Sequence, residues 1–164
     1  MAERWQDRLS LEELRLLLEQ VPAIVYLDEV RPDGSAVNRY TSPQIERILG
    51  FSAEEWQADP ELWIRQLHPD DRERVIRAQD EWRRTRRPTA IEFRYRTRQG
   101  RVVWVREEVT VLPGPQESVC YVVGVLTDIT ARREAEAREL ALARQLEAIL
   151  GAVRDLMAYQ DSQH

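Results

Sequence analysis

Few side chains in this sequence are equipped for chemistry, and their spacing narrows the choice further. There is one cysteine, Cys120, there are two histidines, His68 and His164, and all 24 basic residues are arginine. A lone cysteine excludes an internal disulfide and a cysteine-rich zinc site, and two isolated histidines beside it make no metal constellation. Without lysine, Schiff-base catalysis and a phosphate-loop lysine are both excluded. His68 directly precedes Pro69, so it reads as the N-cap or turn residue of a helix rather than as a ligand. Asp70 and Asp71 then fall in the first helical turn, where the helix dipole accounts for them. Glu107 and Glu108 are neighbours in a strand, point to opposite faces, and are no acid–base pair. No nucleophile stands beside a base and no glycine-rich phosphate loop is present, so no catalytic residue and no metal site are assigned, and the chain is read as not an enzyme.

Composition frames the same conclusion. The 164 residues carry a net charge of −5, 43% apolar and 32% charged side chains, and only 6 Gly and 8 Pro. That describes one globular domain with something attached, large enough for a core without staples. No apolar run approaches the ~20 residues that span a bilayer, and the N-terminal MAERWQDRLS has no signal-peptide core. The expected location is cytoplasmic, with no membrane insertion. The acidic balance argues against nucleic acid. The run Arg83, Arg84, Arg86, Arg87 reads as the solvated end of a helix.

The elements follow from local signals. Ser10 and Glu13 form a capping box before Leu11, Leu14, Leu17, Leu18 and Val21 at helical spacing. Strands are expected at 23–30 and 37–41, around the turn Arg31-Pro32-Asp33-Gly34. Ser42 is expected to cap a short helix that Gly50 closes. Ser52 and Glu55 form a second capping box, stapled by Phe51 and Trp56. Asp59-Pro60 opens a third short helix and His68-Pro69 a longer one that ends before Pro88. Ile91, Phe93 and Tyr95 alternate with charged residues, and Gln99-Gly100 turns into a strand over 101–112 with Val103, Val105, Val109 and Val111 on one face. The run from Val119 to Ile129 is apolar on both faces, as in a central strand covered from both sides, with the N-terminal helix the expected outer cover. Residues 131–156 return to helical period, with Leu142, Leu146, Ile149, Val153 and Leu156 spaced as an a/d seam of about two heptads.

At this point the sequence resembles the PAS family, in the subfamily marked by Tyr-x-Ser-Pro-x-(apolar)-Glu. The residues that carry the likeness are Tyr40 to Glu46, Leu49-Gly50-Phe51-Ser52, Trp56, Asp59-Pro60-Glu61-Leu62-Trp63, His68-Pro69-Asp70-Asp71-Arg72, Phe93 to Arg96, Gly100, Trp104-Val105-Arg106, Gly124-Val125 and Asp128-Ile129-Thr130. The resemblance implies an α+β fold: a five-stranded antiparallel sheet in the order 2-1-5-4-3 with short helices on one face. It also implies a role in sensing or signal relay, with an N-terminal helix and a long C-terminal amphipathic helix flanking the domain. The expected organisation is a cap helix over 1–22, the sensory domain over 23–130, and a signalling helix over 131–164 that leads to a downstream module. Residues 149–157 also weakly resemble 17–25, as if leading into another such module.

The resemblance narrows the chemistry. Photoreceptor members carry a cysteine within Gly-x-Asn-Cys-Arg-Phe-Leu-Gln on the third helix; the corresponding stretch here, Asp59 to His68, has none. Haem members take an axial histidine from the long helix, and Asp70 to Arg87 contains none. No cofactor is therefore expected, and Cys120 reads as a small packed residue. A pocket for an unknown small ligand would be lined by Ile24, Tyr26, Ile48, Trp63, Leu67, Ile76, Phe93, Tyr95, Val103, Val105, Val123 and Val125. The favoured expectation is that these residues simply fill the core. Gly124, in mid-strand, marks a close approach by a ligand or a helix. Arg106, Asp128, Ile129 and Thr130 are the expected coupling point to the exit helix, with Thr130 as its cap. The expected partners are a second copy, through the N- and C-terminal helices, and an output domain of the parent protein. The alternatives are a constitutive dimerisation module and a haem- or flavin-bound sensor.

Overall fold

Most element ends are set by chemistry within four residues. Ser10 Oγ accepts from Glu13 N at 3.2 Å while Glu13 Oε2 accepts from Ser10 N at 2.7 Å, and this reciprocal pair starts helix α1 (Leu11–Gln20). The computed structural model describes residues 10–114 and 120–161, and its backbone divides into one unit ending at Ile129 and another beginning at Thr130. Within the first unit follow β1 (Ile24–Val30), β2 (Ala36–Thr41), α2 (Gln44–Leu49), α3 (Ala53–Ala58), α4 (Leu62–Gln66), α5 (Pro69–Thr85), β3 (Thr89–Arg96), β4 (Val102–Pro113) and β5 (Cys120–Asp128). The second unit is helix α6 (Thr130–Asp161).

The strands form one antiparallel sheet in the order β2-β1-β5-β4-β3. Hairpin turns need left-handed backbone, and Gly34 and Gly100 supply it at φ 82° and 80°. Gly50 does the same for the end of α2, at φ 81°. The pleat sends Ile24, Phe93, Tyr95, Val103, Val105 and Leu126 to one face, where Ile45, Leu49, Phe51, Leu62, Leu67 and Val75 close over them. A smaller cluster of Val30, Trp82, Val109 and Val122 continues the core beneath the end of α5.

Three expectations are corrected. Ser42 does not cap α2: Pro43 holds that position, and the Ser42 hydroxyl, fully buried, accepts from Val25 N at 2.9 Å. A polar side chain in the core meets the nearest unpaired backbone group, here the start of β1. Asp59 acts through an Asx-type turn, accepting from Glu61 N at 3.1 Å, two residues ahead of the α4 cap position. Among the described side chains at this end, Leu16, Leu17 and Leu18 of α1 and Val21 after it are exposed rather than covering the sheet. Three consecutive leucines spread over most of a helical turn, so no one face of α1 can bury them all. Leu27, Val123 and Val125, on the outer face of the sheet, are only half-buried. The side chains of Leu11, Leu14, Val153 and Leu156, and the tail beyond Asp161 with His164, lie outside the described residues.

Helix α3 rests on its cap and its staple. Ser52 and Glu55 exchange bonds of 2.9 and 3.2 Å, and Phe51 meets Trp56 with ring centroids 5.8 Å apart. Trp56 also packs edge-on against Tyr95 at 6.0 Å. Denaturant melts should therefore show Ser52→Ala losing ~0.5–2 kcal/mol. Trp56→Ala should lose about 2 kcal/mol or more, since it gives up both ring contacts.

Candidate functional site

The inner face of the sheet is not filled. Between it and α3, α4 and α5 lies an open cavity of about 480 Å³. Ile24, Tyr26, Tyr95 and Leu126 form its floor, Trp56, Trp63, Ile64 and Ile76 its helical wall, and Asn38 and Thr41 its β2 side. A recess of about 30 Å³, reaching Trp82, Val109 and Val122, shares Tyr26, Asp28, Gln79, Arg83 and Glu107 with it. The expectation that the apolar stripe packs solid is thus corrected. The two short helices α3 and α4 span the gap without closing it. Such a volume is within the range of small-molecule sites, which combine apolar walls with a few placed polar groups.

The polar groups come from two strands. Tyr26 donates its hydroxyl to Glu107 Oε1 at 2.9 Å, across the central strand β5. The crossing is possible because Gly124 lies beneath the ring: a Cβ there would fall inside the van der Waals envelope of Tyr26 Cε1, Cζ and Oη. The close approach at Gly124 is therefore made by a side chain of the same sheet. Beside this pair, Asn38 Nδ2 donates to Asp28 Oδ1 at 2.7 Å, and Thr41 Oγ1 donates to Asn38 Oδ1 at 2.9 Å.

Burial governs the ionisation of these groups. Glu107 is 6% exposed, and desolvation pushes its carboxyl up to about 7, against the lowering effect of the Tyr26 hydrogen bond and with a smaller push from the Asp28 charge. Asp28 is raised for the same reason, opposed by the Asn38 bond and by the Arg83 charge. The Tyr26 and Tyr95 hydroxyls are held well above their ordinary range by burial first and then by Glu107. Near neutral pH, Glu107 is thus poised between a carboxyl that donates and a carboxylate that only accepts.

A family model described as the PAS fold matches residues 38–126. The chain belongs to the PAS family. A blue-light-activated histidine kinase of Brucella anthropi is 26% identical over 150 residues, covering 88% of this chain and 29% of that protein. The chain therefore spans less than a third of that curated relative. Among solved structures, the N-terminal domain of a diguanylate cyclase with PAS/PAC sensor from Marinobacter aquaeolei is 25% identical with a TM-score of 0.57, over 66% of this chain and 98% of that one. A sensory box histidine kinase/response regulator from Burkholderia thailandensis is 26% identical with a TM-score of 0.57, over 82% and 97%. The chain is a PAS sensory module, of the kind found in larger signalling proteins.

Of the twelve residues expected around a PAS ligand, Ile24, Tyr26, Trp63, Ile76 and Tyr95 line the cavity. Leu67, Phe93, Val103 and Val105 are packed core, with Ile48 against it. Val123 and Val125 do not line it: they alternate with Gly124 and Leu126, so the pleat turns them to the opposite face. The residues that sequence reasoning missed are Asp28, Asn38, Thr41 and Glu107. For Asp28 and Glu107 the signal was parity, since Asp28 falls in the frame of Ile24 and Tyr26, and Glu107 in that of Val103, Val105 and Val109.

At the exit, Ile129 is buried and its N–H donates to Trp104 O at 2.9 Å. The guanidinium of Arg106 pairs with Glu108 at 2.9 Å, while Asp128 lies opposite Val105. Thr130 is the first residue of α6 itself, not the residue before it. In the cavity wall, among the described residues, there is neither cysteine nor histidine. Cys120 is at the far end of β5, opposite Val30 and Pro113, with its sulfur against the Arg86 guanidinium. His68 caps α5, with Nδ1 accepting from Asp70 N at 3.3 Å. These residues do not fit a cysteinyl flavin adduct or a histidine-ligated haem. Among the described residues, no group of three or more His, Cys, Asp or Glu could hold a metal ion, and no helix is long and apolar enough to cross a membrane.

Proposed function

We propose that this PAS module senses a small, uncoloured molecule in its cavity and relays occupancy to an output domain through α6. The observation that carries the reading is the cavity of about 480 Å³, whose lining includes Glu107 of β4 and Leu126 of β5, the strand that leads to the exit. Leu126 lines it three residues before Ile129, and Glu107 lies opposite Leu126 in β4. A ligand that moves Glu107 or Leu126 acts on the β4–β5 pair, and the Trp104–Ile129 bond ties that pair to the start of α6. Arg106, Asp128, Ile129 and Thr130 form the coupling segment. The mechanism is a shift between two arrangements of the flanking helices, biased by ligand. The module itself catalyses nothing, works in the cytoplasm, and leaves catalysis to the rest of the parent protein.

The helix supports a second copy as partner. Leu142, Leu146 and Ile149 are 58%, 52% and 51% exposed, which leaves an apolar seam open on α6. A parallel pair of such helices would bury it at ~25 cal/mol per Å² and set the two exit points side by side. Native mass spectrometry, an absorption spectrum and sedimentation test the reading together. The expected result is a colourless protein with a bound small mass, dimeric at micromolar concentration, and monomeric as Leu146→Arg/Ile149→Arg. Stoichiometric haem or flavin bands would replace it with a cofactor-bound sensor, and an empty dimer with a plain dimerisation module.

A further inference from the structure

We propose that the ligand of this cavity is a small organic cation, held by Asp28 and Glu107 as counter-charges. The inference rests on the cavity being the sensory site. Its first support is the balance of charge in the wall. The acidic residues there are Asp28, Glu107 and Asp80, and the single base is Arg83. Arg83 stands at the exposed end of α5, 3.8 Å from Asp80, its neighbour by one helical turn. Asp80 thus takes up the one base of the wall, which reaches Asp28 only as the smallest of the influences on its ionisation. Glu107 and Asp28 instead meet neutral donors: the Tyr26 hydroxyl and the Asn38 amide.

Two carboxyl groups with neutral partners, Glu107 buried and Asp28 half-buried, suit a cation, because a ligand that brings the missing charge recovers the desolvation that burial has cost them. The opposite wall is aromatic. Trp56, Trp63 and Tyr95 present ring surfaces, which favour ammonium groups over neutral or anionic ones. The inner recess beyond Asp28 and Glu107 ends at Trp82, 7% exposed, and at about 30 Å³ it leaves the body of a ligand in the main cavity.

The groups that set the pH response are Glu107 and Asp28 on the sheet, Tyr26 and Tyr95 beside them, and Asp80 and Arg83 on α5. Of these, Glu107 changes charge near neutrality. A cation binds its carboxylate form, so binding weakens as pH falls. With Glu107 pushed up to about 7, the carboxylate fraction drops roughly tenfold between pH 8 and pH 6.

Calorimetry of the full chain with choline tests this, alongside 3,3-dimethylbutan-1-ol, which has the same shape without the charge, and butyrate. The expected result is choline binding at least tenfold tighter than the alcohol at pH 8, weakening five- to tenfold at pH 6. Glu107→Gln and Asp28→Asn should each weaken choline tenfold or more, and Glu107→Gln should remove the pH dependence, with circular dichroism showing both variants folded. Tighter binding of the alcohol or of butyrate, or choline binding indifferent to pH and to both substitutions, overturns the cation assignment while leaving the cavity as the sensory site. If none of the three probes binds, or if Trp56→Ala and Trp63→Ala change nothing for any of them, the cavity reading falls with it.

Discussion

Gly124→Ala should unseat Tyr26 and cost the domain about 3 kcal/mol or more. The added methyl would overlap the Tyr26 ring, and that ring cannot step aside cheaply. It lies half-buried over Gly124 of the central strand, and its hydroxyl is bonded to Glu107. Moving it breaks that bond, leaves a nearly neutral-pH carboxyl buried without a donor, and overpacks the floor of the cavity. Strain of 1–3 kcal/mol and an unsatisfied buried group of similar cost are independent losses. The cause is separable by a second substitution. Tyr26→Ala alone should also destabilise, by opening a void, yet the double variant Tyr26→Ala/Gly124→Ala should be more stable than the sum of the two losses, because the clash is gone. Urea melts of the four proteins decide it. Simple additivity would mean that Gly124 is required for some reason other than the crossing of Tyr26.

That crossing shows where sequence stops informing structure. Caps and turns such as Ser10–Glu13, Ser52–Glu55, Gly50 and Gly100 are legible because each is settled within a few residues by donors, acceptors and φ. The strand order came with the family resemblance; periodicity supplies the elements without their neighbours. A ligand cavity came only with the family resemblance, and five of its expected lining residues hold, Ile24, Tyr26, Trp63, Ile76 and Tyr95; periodicity alone does not show it. Alternation says which face of a strand is turned inward, but whether that face meets a wall or a void depends on where α3 and α4 come to rest. Asp28 and Glu107 were on the right parity and were passed over because an acid in a strand ordinarily marks the solvent face. Val123 and Val125 were overread for the opposite reason, since in a strand apolar on both sides hydrophobicity no longer reports the face. The helical spacing of the α1 leucines marks a stripe but not what covers it, and Leu17 and Leu18 are exposed.

Asp71→Ala should be more damaging than any cap substitution, by about 3–5 kcal/mol, because Asp71 does more than face a helix dipole. Strand β3 is an edge of the sheet, with backbone groups that need partners. The start of α5 provides them: His68 N donates to Arg94 O at 2.9 Å, and Asp71 Oδ2 accepts from Arg94 N at 2.9 Å. The same carboxylate takes the Arg94 guanidinium, with Nε to Oδ2 at 2.8 Å and Nη2 to Oδ1 at 3.0 Å, while that guanidinium stacks over Trp104 at 5.2 Å. Arg74 adds a donor to Glu92 O at 2.9 Å, so residues 68–74 close the edge as a unit. The Arg94 hydrogen bonds, together with its charge, hold Asp71 down at about 2, below the ordinary carboxylate value of 3.8. A depressed folded value means stability present in full above the unfolded value and lost as pH falls through the folded one. At about 1.4 kcal/mol per pH unit, that is roughly 2–3 kcal/mol for a carboxylate 6% exposed. Asp71→Asn keeps the shape and removes the charge. Its deficit against the parent in urea melts should therefore be constant from pH 7 to about pH 4, then shrink towards zero as pH falls to about 2. A deficit that stays unchanged down to pH 2 would mean that the lost shape, not the lost ion pair, holds β3 to α5.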